Sequence, residues 1–204
     1  MKNQGACGSC WAFVATAVNE GRAAMKNITY STLSEQQLVS CSTLNQGCTG
    51  GWMATAWSYV AAVGQVSDAT YPYTNEFSSK TEPCIDSLLQ PALVKDDDPT
   101  IYLTTESELK AALMEGPVAV AIAAGNSCFS SYQSGILSCK CPNSVPDLDH
   151  AITLVGWGED YWIGKNQWSA SWGMEGYVLL AMKNYPGQCG MWRYPGYPTN
   201  VVRV

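Results

Sequence analysis

Nine cysteines in a chain of 204 residues constrain this sequence more than anything else in it. Cysteine that frequent points to disulfides and an oxidising compartment. The count is also odd. Four bridges leave one thiol over, and in a secreted protein such a thiol is buried alone, shared with another chain, or a nucleophile. Zinc is a further use of cysteine, since Cys139-Lys140-Cys141 and Cys7-Gly8-Ser9-Cys10 look superficially like ligand pairs. Their spacing is irregular and the single His stands in a different context, so neither metal nor cofactor is expected.

Other classes drop out on charge and hydropathy. Net charge is −6 and no Lys/Arg cluster exists, which argues against a nucleic-acid partner. The longest apolar run, Pro117–Ala124, has the length of a strand and falls far short of a membrane span. With 47% apolar and 14% charged residues the chain can fill a core. Its length suits one domain with two lobes, or two small domains sharing an interface. It opens on Met1-Lys2-Asn3 with no visible leader.

Periodicity gives the elements. Small and apolar residues recur at helical spacing from Cys10 to about Lys26. Ser34-Glu35-Gln36-Gln37 reads as a capping box opening a short helix through Val39. A helical stretch from about Trp52 to Val63 follows the Gly50-Gly51 break. Residues 67–98 read as turns, with the acidic run Asp96–Asp98 as a solvated loop. Beyond Pro99, Thr105-x-x-Glu108 caps another helix to about Met114. Strands are expected at Val118–Ala123, Ala151–Val155, Tyr161–Gly164 and Tyr177–Ala181. The pattern is α+β, with a helical part at 1–98 and a largely antiparallel β part at 99–204.

The chemistry follows from three residues. The thiolate is the reactive form of cysteine, and a helix N-terminus and a neighbouring imidazolium both favour it. Cys10 stands at the start of the long helix; the other cysteines stand in turns or loops, where pairing is the easier reading. A base is then required, and His150 is the chain's one His. A lone His is usually structural, but Asp149-His150-Ala151 opens an apolar strand after a loop, where a side chain can project. Asn166, in the β-type segment Ile163–Trp168, can accept from one ring nitrogen and leave the other facing the sulfur. Taken alone, it reads equally as a turn residue.

These residues carry a resemblance. Gln4-Gly5-Ala6-Cys7-Gly8-Ser9-Cys10-Trp11-Ala12-Phe13 resembles the nucleophile segment of papain and the lysosomal cathepsins, a signature that general sequence rules already describe together with its downstream His and Asn. Ser34-Glu35-Gln36-Gln37-Leu38, Gly47-Cys48-x-Gly50-Gly51, Tyr71-Pro72-Tyr73, Gly116-Pro117-Val118, Asp149-His150-Ala151 and Trp172-Gly173-x-x-Gly176-Tyr177 fall in family order. The resemblance implies a papain-like two-lobe fold, with a helical lobe, an antiparallel β-barrel-like lobe and a cleft between them. It implies an endopeptidase working through an acyl-enzyme. Gln4 and the backbone N–H of Cys10 would bind the oxyanion. Cys10 and His150 would form the ion pair, Asn166 would orient His150, and Trp168 would cover that contact. Gly50, Gly51 and Trp52 would present backbone to an extended substrate, with Asp149 nearby. Met53, Ala121, Leu148 and Ala151 would wall the main specificity pocket and Tyr194 would floor it, favouring Leu or Val at the second residue before the cleaved bond.

The resemblance also implies bridges. Cys7–Cys48 and Cys41–Cys84 resemble those of the helical lobe. Cys189 matches the bridge near the C-terminus, with Cys141 or Cys139 as partner, and Cys128 would take the remaining one. It implies peptide and protein substrates, cystatin-like inhibitors, a monomer, and a lysosomal, vacuolar or secreted location. Asn27-Ile28-Thr29 reads as a glycan site.

Three departures stand out. The chain starts only nine residues before Cys10, so a pro-region and the start of the mature domain are expected to be absent. Gln167 and Ser169 flank Trp168 where the family usually has Ser and Gly. The extra cysteine pair near Cys128 is not general in the family. An exopeptidase needs a segment blocking the cleft, and none is evident. The alternative of another class is a non-catalytic or truncated relative that binds peptides or inhibitors; such relatives usually lose the nucleophile or the His. A disulfide-rich adhesion module would explain the cysteines and leave the His–Asn–Trp context unexplained.

Overall fold

The computed structural model describes residues 1–28 and 32–204; Thr29 of the Asn27-Ile28-Thr29 triplet lies outside the described residues. In chain order the elements are α1 (Cys10–Met25), α2 (Glu35–Cys41), α3 (Met53–Val63), β1 (Val94–Tyr102), α4 (Glu106–Glu115), β2 (Val118–Ile122), α5 (Ser127–Ser130), β3 (Ile136–Leu137), β4 (His150–Trp157), β5 (Tyr161–Lys165), β6 (Tyr177–Ala181) and β7 (Gly196–Arg203). Two compact bodies form. One holds Gln4–Ile101 with Tyr197–Val204, the other Met1–Asn3 with Tyr102–Gly196. Each body also takes in a segment from the far end of the chain.

In the helical body, α1 buries Trp11, Ala12, Phe13, Val14, Ala15 and Val18. The alanines let α3 approach closely enough for Trp57 Nε1 to donate to the Ala15 carbonyl at 3.2 Å. At α2 the expected capping box is half formed. Ser34 Oγ accepts from the Gln37 N–H at 3.0 Å, but the Ser34 N–H donates to Val66 O. The Gln37 side chain instead donates to Gly64 O at 2.9 Å and accepts from the Val66 N–H at 2.8 Å. It thus pins the turn that follows α3.

The acidic run needs correction. Asp96 and Asp97 lie in β1, which pairs with β7. Period-two alternation turns Val94 and Asp96 inward and leaves Asp97 exposed. Asp96 is only 4% exposed, and Asn19 Nδ2 donates to its Oδ2 at 3.2 Å. Burial pushes its carboxyl up to about 8. Asp97 accepts from Asn200 Nδ2 of β7 at 3.0 Å.

The β body is built on strands in the order β2-β4-β5-β6-β3. The sheet is open and largely antiparallel, as expected, with the short β3 running parallel to β6. Val118, Val120, Ile122, Ile152, Leu154, Val178 and Leu180 are completely buried. Each such side chain contributes roughly 1.5–3 kcal/mol. The β2–β4 register sets Ala121 opposite Ala151 and Ile122 opposite His150. At α4 the box on Thr105 and Glu108 is complete.

All four disulfides close within a body: Cys7–Cys48 and Cys41–Cys84 in the helical one, Cys128–Cys139 and Cys141–Cys189 in the β one. Cys189 thus pairs with Cys141, not Cys139. Separations of 41, 43 and 48 residues put three of these loops in the range where a crosslink adds about 3–4 kcal/mol by restricting the unfolded chain.

Candidate active site

In the helical body Cys10 is the first residue of the 16-residue α1 and stands outside all four bridges. Its sulfur therefore meets the positive end of a long helix, which has no acidic residue in its first turn. Ser9 precedes it in the cap position, yet its hydroxyl makes no cap bond. That hydroxyl lies 2.8 Å from Tyr73 Oη, and Tyr73 donates to the Gln4 carbonyl at 2.7 Å. The Tyr73 proton is committed to Gln4, so Ser9 is the donor to Tyr73. Burial holds the Tyr73 hydroxyl up at about 12, which keeps it a donor. Gln4 is buried, and its Nε2 donates to Cys7 O at 2.9 Å. Tyr73 was not among the site residues expected from sequence, although Tyr71-Pro72-Tyr73 was visible as a motif.

The glycines differ in purpose. Gly50 holds φ +132°, where side chains are strained, and a Cβ there would meet open space. At Gly51 a Cβ would come within 2.5 Å of Asn45 Oδ1 and 2.7 Å of the Trp11 ring, so the position is closed by packing. The Trp52 N–H donates to Asn45 Oδ1 at 2.8 Å, and the Trp52 ring is exposed. Met53 is buried at the start of α3.

In the β body His150 is buried at the first residue of β4, and its Nε2 lies 2.9 Å from Asn166 Oδ1. The same oxygen accepts the Gln167 backbone N–H at 3.0 Å. An atom that accepts from a backbone N–H is the amide oxygen, so His150 Nε2 carries a hydrogen and donates. Nδ1 is left as the atom that takes or gives a proton. Asn166 Nδ2 is buried without a hydrogen-bond partner, a cost of roughly 1–3 kcal/mol tolerated to hold Oδ1 on the ring. Trp168 covers the imidazole with ring centroids 4.6 Å apart. Phe129 of α5 backs both rings, 6.1 Å from His150 and 5.6 Å from Trp168. Burial lowers the His150 imidazole to about 4, with Asn166 and then Asp149 pulling the other way.

Five further expected positions complete the inventory. Ala121 and Ala151 are buried neighbours across β2 and β4, Leu148 is half-buried just before them, and Tyr194 is 37% exposed. The Asp149 carboxylate accepts from the Ala124 and Gly125 N–H groups at 2.7 and 2.9 Å. It therefore clamps the loop after β2. Ser169 sits at φ +66°, the left-handed region that a glycine would occupy without strain.

Known proteins place the chain in a family. A model of the papain family cysteine proteases matches residues 1–199. Zingipain-2 of Zingiber officinale is 38% identical over 97% of this chain and 90% of its own length. Digestive cysteine proteinase 3 of Homarus americanus is 39% identical over 98% of this chain; the chain spans 62% of that protein, somewhat under two thirds. The Carica candamarcensis cysteine protease CMS1MS2, solved in complex with E-64, superposes with a TM-score of 0.85 at 33% identity, covering 98% of this chain and 92% of that one. On sequence and backbone together, the chain belongs to the papain family of cysteine proteases.

Proposed function

We propose that the chain is an endopeptidase in which Cys10 attacks the peptide carbonyl and His150 moves the proton. The observation that carries this reading is Cys10 itself, the one cysteine of nine outside the bridges and the first residue of a long helix. The sulfur adds to the carbonyl carbon and the carbonyl electrons move to oxygen. That oxyanion is held by the Cys10 N–H and the Gln4 amide, which its bond to Cys7 O steadies. His150 Nδ1 hands its proton to the departing amine, leaving a thioester. Water then attacks the thioester, His150 takes its proton, and the sulfur leaves as thiolate. Asn166 keeps Nε2 occupied so that Nδ1 is the reacting nitrogen.

Burial alone holds His150 neutral, at about 4. A thiolate set against Nδ1 reverses that pressure, because a paired imidazolium is compensated where an isolated one is not. The ion pair is therefore mutual, and each partner's charge depends on the other. Substrates on this reading are extended peptides with an aliphatic side chain in the pocket of Met53, Ala121, Leu148, Ala151 and Tyr194. Cystatin-like inhibitors would compete for the same surface, and the chain would act as a monomer. Four disulfides support a secreted, vacuolar or lysosomal setting.

Hydrolysis of a fluorogenic peptide across pH tests the reading. The expected profile is a bell, falling in acid as the thiolate is protonated and in alkali as His150 loses its proton. Cys10→Ala and His150→Ala should be inactive and Asn166→Ala should retain weak activity. A rate that keeps rising above neutrality contradicts the ion pair.

A further inference from the structure

We propose that Gln167 is a positioning residue for the reaction proposed above: its side-chain amide, set beside His150 Nε2, disfavours a proton on that nitrogen and opposes the hold of Asn166. Gln167 is buried, and its Nε2 donates to the Ala151 carbonyl at 2.9 Å. A carbonyl only accepts, so that bond fixes the nitrogen, not the oxygen, on the side facing β4. The same nitrogen lies 3.4 Å from His150 Nε2. Two neighbouring amides thus reach one ring nitrogen with opposite ends, an oxygen at 2.9 Å from Asn166 and an N–H donor at 3.4 Å from Gln167.

The two contacts favour different protonation states. Asn166 Oδ1 is satisfied only when Nε2 carries its proton. The ring can accept from Gln167 only when Nε2 has lost it, which in the neutral imidazole means the proton sits on Nδ1. That tautomer cannot take a thiol proton at Nδ1. The amide's positive end also stands against the imidazolium, the form needed opposite a thiolate. Serine, the residue usual in the family at this position, is too short to place a donor there.

Among the described residues, these groups face the ring. Asp149 acts on it from the position just before β4. Phe129 and Trp168, packed on it from α5 and from the segment after β5, carry no charge, and Asn166 and Gln167 supply the amides. Cys10 is the titratable group that the proposed function sets against Nδ1.

His150 is the chain's one His, so nitrogen NMR of ¹⁵N-histidine-labelled protein reads this ring without ambiguity. The spectra are taken in the Cys10→Ala background, which removes the thiolate and makes the result independent of catalysis. Gln167→Met keeps the length of the side chain and the cover but has no N–H. Gln167→Glu keeps the shape and substitutes an acceptor. The expected result is an upward move of the His150 titration by about half to one pH unit in Gln167→Met and by more in Gln167→Glu. The Nε2–H tautomer should gain population in both. In the Cys10-containing enzyme, the alkaline limb should move the same way with KM nearly unchanged. Unchanged titration and nitrogen shifts in Gln167→Met would overturn the proposal and leave Gln167 as cover alone. A shift seen by NMR with a stationary alkaline limb would support the contact and overturn His150 as the catalytic partner.

Discussion

The Tyr73 hydroxyl donates to the Gln4 carbonyl at 2.7 Å while taking the Ser9 hydroxyl at 2.8 Å. One side chain therefore ties the residue before the nucleophile to the residue proposed to bind the oxyanion. Tyr73→Phe keeps the edge-on packing against Phe13 at 4.9 Å and removes only the hydroxyl. The expected outcome is a fall in kcat of roughly tenfold with little change in KM, because the oxyanion forms only in the transition state. Affinity for a peptide aldehyde, whose adduct carries that oxygen, should fall in parallel. A loss confined to KM would show that Tyr73 acts on substrate binding.

The cysteine pairing is open to direct mapping. Intact mass without reductant should give four bridges and one alkylatable thiol, at Cys10. Peptide maps should link Cys141 to Cys189 and Cys128 to Cys139. Replacing both Cys128 and Cys139 by Ser opens an 11-residue separation and should cost about 2–3 kcal/mol in urea unfolding. A Cys139–Cys189 peptide would contradict the fold around the loop after β2.

Asp96 gives the stability a pH dependence of defined sign. Its folded carboxyl is raised from 3.8 to about 8. Across that window the folded chain holds a proton that the unfolded chain has lost, so stability falls as pH rises through it. The buried neutral His150, lowered from 6.5 to about 4, works the other way and loses stability as pH drops through its own window. Asp96→Asn should remove the first slope alone. The variant should gain on the parent by about 1–3 kcal/mol between pH 4.5 and pH 8. A difference that is constant with pH would mean that Asp96 is ionised in the folded chain.

Much of the molecule was legible from the sequence, and the exceptions share a cause. The bounds of α3, α4 and β6 follow from periodicity and capping, since those signals are local. β7 carries Pro198 and Asn200, which read as turn residues, and its pairing with β1 joins segments about a hundred residues apart. Asp96 was misread for the same reason, because its partner Asn19 lies on α1. At the proposed site, Cys10, His150 and Asn166 stand out by residue type, local context and the family resemblance. Gln167 was visible as a departure from the family pattern, but its amide orientation depends on Ala151 O. That information exists only in the folded chain.

The proposed specificity turns on Tyr194. The pocket assignment places no carboxylate at that position, so an unpaired Arg side chain there would be costly. A positional peptide library should show Leu or Val above Phe and well above Arg two residues before the cleaved bond. The Leu-over-Phe margin should be small, since one methylene is worth about 1–3 kcal/mol. Tyr194→Glu should raise Arg acceptance. Dominant Arg preference in the parent would place the pocket elsewhere.

Everything proposed for this chain turns on Cys10 as the nucleophile. The direct measurement is labelling with a peptidyl epoxide, followed by peptide mapping and residual activity on the same sample. One adduct per chain is expected, on Cys10, with activity lost in proportion to labelling and no adduct in Cys10→Ala. Labelling of another cysteine with loss of activity, or peptide hydrolysis by Cys10→Ala, would contradict it.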